Sequence, residues 1–415
     1  MEPFQYRGGE LHCDGVPLRR VAATVGTPTY VYSKTAALES FHAYDRAFAS
    51  VPHAVFYAVK ANSNLALLAA LARAGAGADI ASGGELYRAL RAGVPAKRVL
   101  FAGVGKTREE MREALKAEIL MFNVESAAEL RTLDQVAQEM GVRAPVSLRV
   151  NPDVDPQTHK YIATGLRSAK FGIPMADALR EYEAAARMPG LDVLGVQMHI
   201  GSQLTRIAPI ADSLARIGAL VRELRERHID IKMVDVGGGL GIRYKDEQPP
   251  SHEEYARTLL PILRELNVTV LMEPGRSIVG NAGALLTRAL YTKQTPDKRF
   301  LIVDAAMNDL IRPSLYEAYH EIRPVRETTG GPRHTVDVVG PICESGDFLA
   351  KDREMPEVTE GELLAVMSAG AYAFAMSSQY NARPRAAEVL VEGSGYRVVR
   401  RRETYEDLIA GESLE

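Results

Sequence analysis

Only two cysteines, Cys13 and Cys343, occur in 415 residues, and neither has metal-ligand spacing to a second cysteine or a histidine. A disulfide framework is therefore excluded, and the usage fits a reducing cytosol. No uninterrupted apolar run approaches the ~20 residues needed to cross a bilayer. The N-terminus, Met1-Glu2-Pro3-Phe4-Gln5-Tyr6, lacks a basic region followed by an apolar one, so no signal peptide is expected. Excess charge of one sign is also missing. Charged residues make up 25% of the chain, acids and bases are mixed along its length, and the formal net charge is -3. Neither a nucleic-acid footprint nor a basic membrane surface fits that balance. There is no low-complexity linker. These absences describe a soluble cytoplasmic protein with no nucleic-acid or membrane partner, long enough for about two or three domains.

What is present is an alternation. From about residue 30 to residue 280, short apolar runs alternate with longer amphipathic stretches. The runs are His53–Ala61, Gly77–Ser82, Arg98–Gly103, Ile119–Val124, Pro145–Asn151, Val193–Gly201, Ile231–Gly239 and Val268–Gly275. Between them lie helical patterns such as Asn64–Arg73, which stops before Gly75, and Ser126–Leu133, opened by a serine that can act as N-cap. Continuously apolar strands alternating with helices imply a parallel sheet with a covered outer face. Eight such units in about 250 residues predict an α/β fold, a closed TIM-like (β/α)8 barrel. An open doubly wound sheet is the competing architecture, but no Gly-x-Gly-x-x-Gly follows the first strand. After residue 280 the runs Ala284–Lys293, Phe300–Asp304, Thr335–Val339 and Ala386–Val391 are separated by Gly, Pro and Asp clusters, which predicts a β-rich C-terminal domain. A hairpin-like pattern over Tyr6–Gly15 adds strands to it. The expected division is a barrel over 30–280, with residues 1–29 and 281–415 forming a β-barrel or sandwich.

A barrel predicts that functional groups gather at the C-terminal ends of its strands. Polar groups do track those ends. Lys60 follows the first run, Asp79 and Ser82 end the second, and Asn123 and Glu125 end the fourth. Arg149 and Asn151 end the fifth, His199 and Ser202 the sixth, Gly237-Gly238-Gly239 the seventh, and Glu273-Pro274-Gly275-Arg276 the eighth.

Lys60 ends a buried-strand pattern, where desolvation lowers an ammonium's pKa and frees the lone pair that an imine requires. An ordinary strand-end lysine would instead reach into solvent. Gly237-Gly238-Gly239, with Gly241 beyond, let backbone amides approach an anion, and Gly275-Arg276 add a cation at the neighbouring strand end. The loops after strands seven and eight are the frequent phosphate site of barrels. Glu273, beside that phosphate, suits a protonated ring nitrogen, and the flat ring of His199 suits stacking on a planar cofactor. Together these groups describe a site for pyridoxal 5'-phosphate.

Longer strings carry a resemblance. They are Gly26–Tyr32, Tyr57–Asn62, Ala81–Leu86, Lys170–Ile173, His199–Gln203, Asp235–Gly241, Glu273–Arg276, Met307–Tyr316, Cys343–Asp347 and Gly370–Tyr372. In order and spacing the chain resembles, nearly end to end, the diaminopimelate decarboxylases. These belong to the alanine-racemase-like pyridoxal-phosphate fold that also holds eukaryotic ornithine decarboxylase. The resemblance implies that Lys60 holds the cofactor as an imine, His199 stacks on its ring and Glu273 pairs with the ring nitrogen. Asp79 is counted among the cofactor-binding residues, and Ser202, Gly239, Gly275, Arg276 and Tyr372 hold the phosphate. Arg276, Arg312 and Tyr316 bind the carboxylate at the non-reacting end of the substrate, with Tyr372 beside them, and Glu344 meets the distal ammonium. Cys343 and Glu344 reach the site from the partner of a two-fold homodimer, with Cys343 or the released Lys60 as proton donor. The implied activity is decarboxylation of meso-2,6-diaminopimelate to L-lysine, the last step of lysine biosynthesis. The alternatives are a decarboxylase of the same fold acting on ornithine, lysine or an arginine derivative, a racemase, and a non-enzymatic cofactor carrier. The roughly 135 residues after position 280 argue against the last, which needs only a barrel.

Overall fold

Each of the eight apolar runs holds a strand, the fifth and sixth strands beginning one and two residues ahead of their runs: His53–Ala58, Gly77–Ile80, Val99–Phe101, Met121–Val124, Ala144–Asn151, Leu191–Gln197, Met233–Asp235 and Thr269–Met272. They pair in parallel in chain order, and the last pairs with the first, Leu271 opposite Ala54, so the sheet closes into a barrel. The two-residue strand Ile173–Pro174 joins the end of the fifth barrel strand outside the ring. This is a computed structural model, and it describes residues 2–155, 164–165 and 169–414. Contacts divide the chain into two compact units. The barrel unit is Ser40–Ile242 with Gln248–Ser277, and the other is Met1–Glu39, Arg243–Glu247 and Ile278–Glu415.

Local sequence explains the helices between barrel strands. Asn64 is the N-cap of Leu65–Arg73, its side-chain oxygen accepting from Ala66 N at 3.0 Å. Ser126 caps Ala127–Met140, which ends at Gly141 with a φ of 68°, and Ser251 with Glu254 forms a capping box on His252–Leu266. Such caps each contribute about 1 kcal/mol by satisfying amides that have no partner within the helix.

The barrel interior changes character along its axis. Side chains two apart on a strand share a face, and Met121, Met233 and Leu271 are followed two residues later by Asn123, Asp235 and Glu273. Phe56, Leu100, Met121 and Leu271 pack together. Side chains from the first, third, fourth and eighth strands can meet only inside the ring, and burying each contributes roughly 1.5–3 kcal/mol. One end of the interior is therefore an apolar plug, and the polar residues stand above it at the C-terminal rim.

In the β-rich unit, Gly283–Gln294 pairs antiparallel with Thr29–Ser33, Arg299–Val303 and Leu363–Val366. Thr29–Ser33 in turn pairs in parallel with Ala387–Glu392. Phe4–Arg7, Glu10–Cys13 and Val16–Pro17 form a separate antiparallel sheet. Its Phe4, Leu11, Cys13 and Val16 join Val31, Leu286 and Val389 in one core. Burial pushes the Cys13 thiol well above its ordinary value, which leaves it unreactive. Among the described residues no helix is long and apolar enough to cross a membrane.

Gly77 makes room for the plug. A Cβ there would lie 2.4 Å from the Phe56 ring and 2.6 Å from the Arg98 carbonyl oxygen. We expect Gly77→Ala to lower the unfolding free energy by about 1–3 kcal/mol, read from urea midpoints at an unchanged m-value. An unchanged midpoint would show that the plug has slack.

Candidate active site

Lys60 lies in a single 3-10 turn, Val59–Ala61, directly after the first barrel strand. Tyr57 Oη donates to the Asn62 carbonyl at 3.0 Å and closes that turn. Gly275 lets the eighth strand's loop approach it, since a Cβ there would sit 3.0 Å from the Cβ atoms of Ala58 and Ala61. Lys60 Nζ is 2.6 Å from Asp79 Oδ2, with the lysine side chain 45% exposed and the aspartate fully buried. The expected dehydrated amine is thus corrected. The apolar run buries its own strand, but the turn carries the ammonium to the rim, where it keeps water and a carboxylate partner. The other oxygen of Asp79, Oδ1, accepts no hydrogen bond among the described residues.

Inside the rim lies a buried acidic pair. Asn123 Nδ2 donates to Glu273 Oε1 at 2.8 Å and to Asp235 Oδ2 at 3.2 Å. Gln197 Nε2 donates to Glu273 Oε2 at 3.0 Å, and Ser147 Oγ donates to Asn123 Oδ1 and orients its amide. Asp235 Oδ1 accepts from Gly237 N at 2.8 Å. Burial, with Asp79 nearby, pushes the Asp235 carboxyl up to about 6. Burial and the charges of Asp235 and Asp79 raise Glu273 well above the ordinary carboxylate range.

The glycine loop packs against this pair and against His199. A Cβ on Gly237 would lie 2.4 Å from the Met198 carbonyl, one on Gly238 2.2 Å from the Glu273 carbonyl, and one on Gly239 2.3 Å from the Gly201 carbonyl. Only glycine fits, and Gly239 has a φ of 106°. Gly238 N donates to His199 Nδ1 at 3.3 Å, which assigns the ring proton to Nε2. Burial, together with the positive charges of Arg149 and Lys60, pushes His199 well below its ordinary value, so the imidazole is neutral. The amides of Gly237 and Gly238 are thus engaged within the protein, which narrows the anion-cradling expectation to Gly239 and the Gly275-Arg276 loop. Arg276, buried, donates to Ser202 Oγ from Nε at 3.3 Å and from Nη2 at 3.1 Å.

Other rim residues are structural. Ser82 Oγ accepts from Glu85 N at 3.2 Å as the N-cap of Gly83–Arg91. Glu125 receives Arg149 Nη1 at 2.8 Å and Gly172 N at 3.0 Å. The fully buried Lys106 donates to the Gly103 and Asn123 carbonyls and to Glu129.

In the β-rich unit, Arg312 and Tyr316 lie four apart in the one-turn helix Arg312–Tyr316, on the same face. Arg312 is buried, with its Cζ 4.6 Å above the Tyr244 ring. Tyr372 has a φ of 53°, a strained conformation for a bulky side chain and one that concentrates at functional sites. Cys343 and Glu344 are exposed, on a loop whose base is fixed by Asp347 accepting from Met307 N and Ile342 N, both at 2.7 Å. Tyr380 Oη donates to Glu344 Oε1.

The structure thus brings Lys60, Asp79, His199, Glu273, Ser202, Arg276, Gly239 and Gly275 to the strand ends of one barrel. Sequence reasoning did not single out Asp235 or Gln197. The available signal was their spacing: Asp235 sits two residues before the glycines, and Gln197 sits two residues before His199.

Burial raises the Asp235 carboxyl from its ordinary value of 3.8 up to about 6 in the folded chain. Over that range the folded state binds more protons, so its stability falls as pH rises. Urea unfolding of the cofactor-free protein between about pH 4 and pH 6 should show a smaller fall for Asp235→Asn than for the wild type. Equal slopes would mean that Asp235 is ionised throughout.

Comparison with known proteins places this rim. A family model described as pyridoxal-dependent decarboxylase, pyridoxal binding domain, matches residues 36–280. The diaminopimelate decarboxylase of Pseudomonas aeruginosa is 56% identical over 414 residues, spanning 100% of this chain and 99% of that one. The solved structure of diaminopimelate decarboxylase from Helicobacter pylori complexed with L-lysine has 42% identity and a TM-score of 0.91, covering 95% of this chain and 98% of that one. That from M. jannaschii, in co-complex with L-lysine, has 38% identity and a TM-score of 0.95, covering 100% and 98%. A match of this length and identity, on a barrel whose rim presents Lys60 and a buried carboxylate pair, means that the chain belongs to the diaminopimelate decarboxylases, within the pyridoxal-dependent decarboxylases.

Proposed function

We propose that this chain decarboxylates meso-2,6-diaminopimelate to L-lysine and carbon dioxide, using pyridoxal 5'-phosphate, as the last step of lysine biosynthesis. The observation that carries this reading is the end-to-end match, at 56% identity, to an enzyme of that name. The H. pylori and M. jannaschii relatives hold L-lysine, the product of that reaction.

The residues present fit the cofactor. Burial and the charges of Asp235 and Asp79 raise the proton affinity of Glu273 at a rim with one adjacent ammonium, and among the described residues a buried oxygen of Asp79 accepts no hydrogen bond. A protonated ring nitrogen held by Glu273 would supply positive charge there. When bound, the cofactor supplies an electron sink, its protonated ring taking up the electron pair left when the carboxylate departs as carbon dioxide.

The chain's own residues do the rest. Lys60 Nζ holds the cofactor covalently, with Asp79 tethering the amine. Glu273, braced by Asn123 and Gln197, keeps a proton on the ring nitrogen. His199 offers a neutral stacking face, so it adds no cation to compete with that proton. Ser202, Gly239, Gly275, Arg276 and Tyr372 take the phosphate, with Arg276 also contributing to the substrate carboxylate. The strained φ of Tyr372 supports its place in this set. Arg312 and Tyr316 bind the carboxylate that is retained, through charge-assisted hydrogen bonds that a plain diamine could not make. Glu344 recognises the distal ammonium. Cys343 or the freed Lys60 returns a proton to the carbon that lost its carboxylate.

By this reading the barrel over 30–280 carries the cofactor, and the β-rich remainder supplies substrate contacts and the interface of a cytoplasmic homodimer. Cys343 and Glu344 then act in the partner's site. Their exposure on a loop with a fixed base supports that role.

Three measurements test the proposal. Carbon dioxide release should be faster from meso-diaminopimelate than from lysine or ornithine, and faster turnover of the diamines would overturn the substrate. Lys60→Ala should lose the absorbance band of the lysine-bound cofactor, whereas a retained band would move the attachment to another lysine. Mixing Lys60→Ala with Glu344→Gln subunits should restore activity that neither has alone, because a shared site leaves one intact copy per mixed dimer. No restoration would make each site belong to a single chain.

A further inference from the structure

We infer that His320 is the positioning residue for Arg312, a neutral acceptor that aims the guanidinium without cancelling its charge. This rests on the reading that Arg312 binds the retained carboxylate. His320 is fully buried. Its Nδ1 is 2.8 Å from the Met367 carbonyl oxygen, and its Nε2 is 2.8 Å from Arg312 Nη1. A carbonyl only accepts and a guanidinium only donates, so the ring carries its proton on Nδ1 and offers the Nε2 lone pair to Arg312. Both contacts hold only for the uncharged imidazole.

The ring has little freedom to move. Its own carbonyl accepts from Arg353 Nη1 at 2.8 Å. Met367 N bonds the carbonyl of the next residue, Glu321, at 2.8 Å, and Ile322–Pro324 continues as a strand paired antiparallel with Leu363–Val366. The donor and the acceptor of the Nδ1 bond therefore sit on adjoining strand ends in fixed register. Tyr244 completes the arrangement: Arg312 Cζ lies 4.6 Å above its ring, and that ring meets His320 edge-on with centroids 5.4 Å apart. With one face covered by an aromatic ring and one terminal nitrogen held, both the plane of the guanidinium and its rotation in that plane are set.

The choice of acceptor has a consequence for affinity. An aspartate or glutamate at position 320 would hold Arg312 as firmly but would neutralise it, competing with an incoming carboxylate. A neutral imidazole orders a side chain with many rotamers before the substrate arrives without itself cancelling the charge, a condition for preorganised recognition.

The test compares holoenzymes. His320→Gln places an amide oxygen close to the position of Nε2 and keeps an acceptor for Arg312. His320→Asn keeps a donor near Nδ1 but falls short of Arg312. For His320→Asn we expect the KM for meso-diaminopimelate and the competitive Ki of L-lysine, which carries the same retained carboxylate, to rise about tenfold with kcat within about twofold. For His320→Gln both constants should recover to within about threefold of wild type. A wild-type KM and Ki in His320→Asn would overturn the inference, as would equal losses in the two variants, which mark a packing role only. Should His320→Asn not fold, His320→Gln decides alone: near-wild-type affinity supports the role, and a tenfold loss overturns it. Arg312→Gln separates the two levels, with an expected KM increase of about ten- to hundredfold. If that variant kept its KM, the assignment of Arg312 to the substrate would fail. If it lost affinity while His320→Asn did not, only the role of His320 would.

Discussion

A carboxyl group inside a protein resists ionisation unless a donor or a cation stands beside it. At the rim of this barrel two such groups, Asp235 and Glu273, share one amide donor, Asn123. The surrounding architecture serves that pair. The apolar plug of Phe56, Leu100, Met121 and Leu271 closes the barrel beneath it, and Ser147 and Gln197 orient or complete its hydrogen bonds. Gly237 joins both strands, its amide donating to Asp235 and its carbonyl accepting from Glu273 N. An acidic pair held this way is short of positive charge, which on the proposed reading a basic ring nitrogen of the cofactor would provide.

The same logic governs the neighbours. Lys60 and Asp79 form an ion pair at the edge of water, so the amine is tethered without being sealed in. His199 stays neutral because it is surrounded by protein and faced by Arg149 and Lys60. The rim therefore combines a tethered amine, a neutral imidazole and a buried carboxyl pair. In the β-rich unit His320 is likewise a buried ring set against a cation, its Nε2 meeting Arg312.

Much of the barrel was legible in the chain. The eight apolar runs each hold a strand because a fully covered parallel strand requires continuous apolar residues, and Ser126 caps the helix it precedes. The strand-end placement of Lys60, His199 and Glu273 could be read for the same reason, since closing a barrel puts all C-terminal ends on one rim. Ser82 looked like one more rim group and is a helix cap. Its local pattern, a serine three residues before a glutamate, suited both roles, and only the hydrogen bonds separate them.

The order of apolar runs, the glycines and the family strings by themselves determined the barrel, the cofactor class and the family, because those depend on periodicity and on motif order along the chain. Tertiary structure alone decided how the charges are arranged. Asp235 and Glu273 are 38 residues apart and Asn123 is more than a hundred from either, so their shared hydrogen bonds exist only once the barrel closes. Whether Lys60 was dehydrated was likewise undecidable from its apolar neighbours. Its exposure depends on a single 3-10 turn and on an aspartate from the next strand. Burial and Coulomb interactions are properties of distances in space, and a linear sequence contains no such distances until it folds.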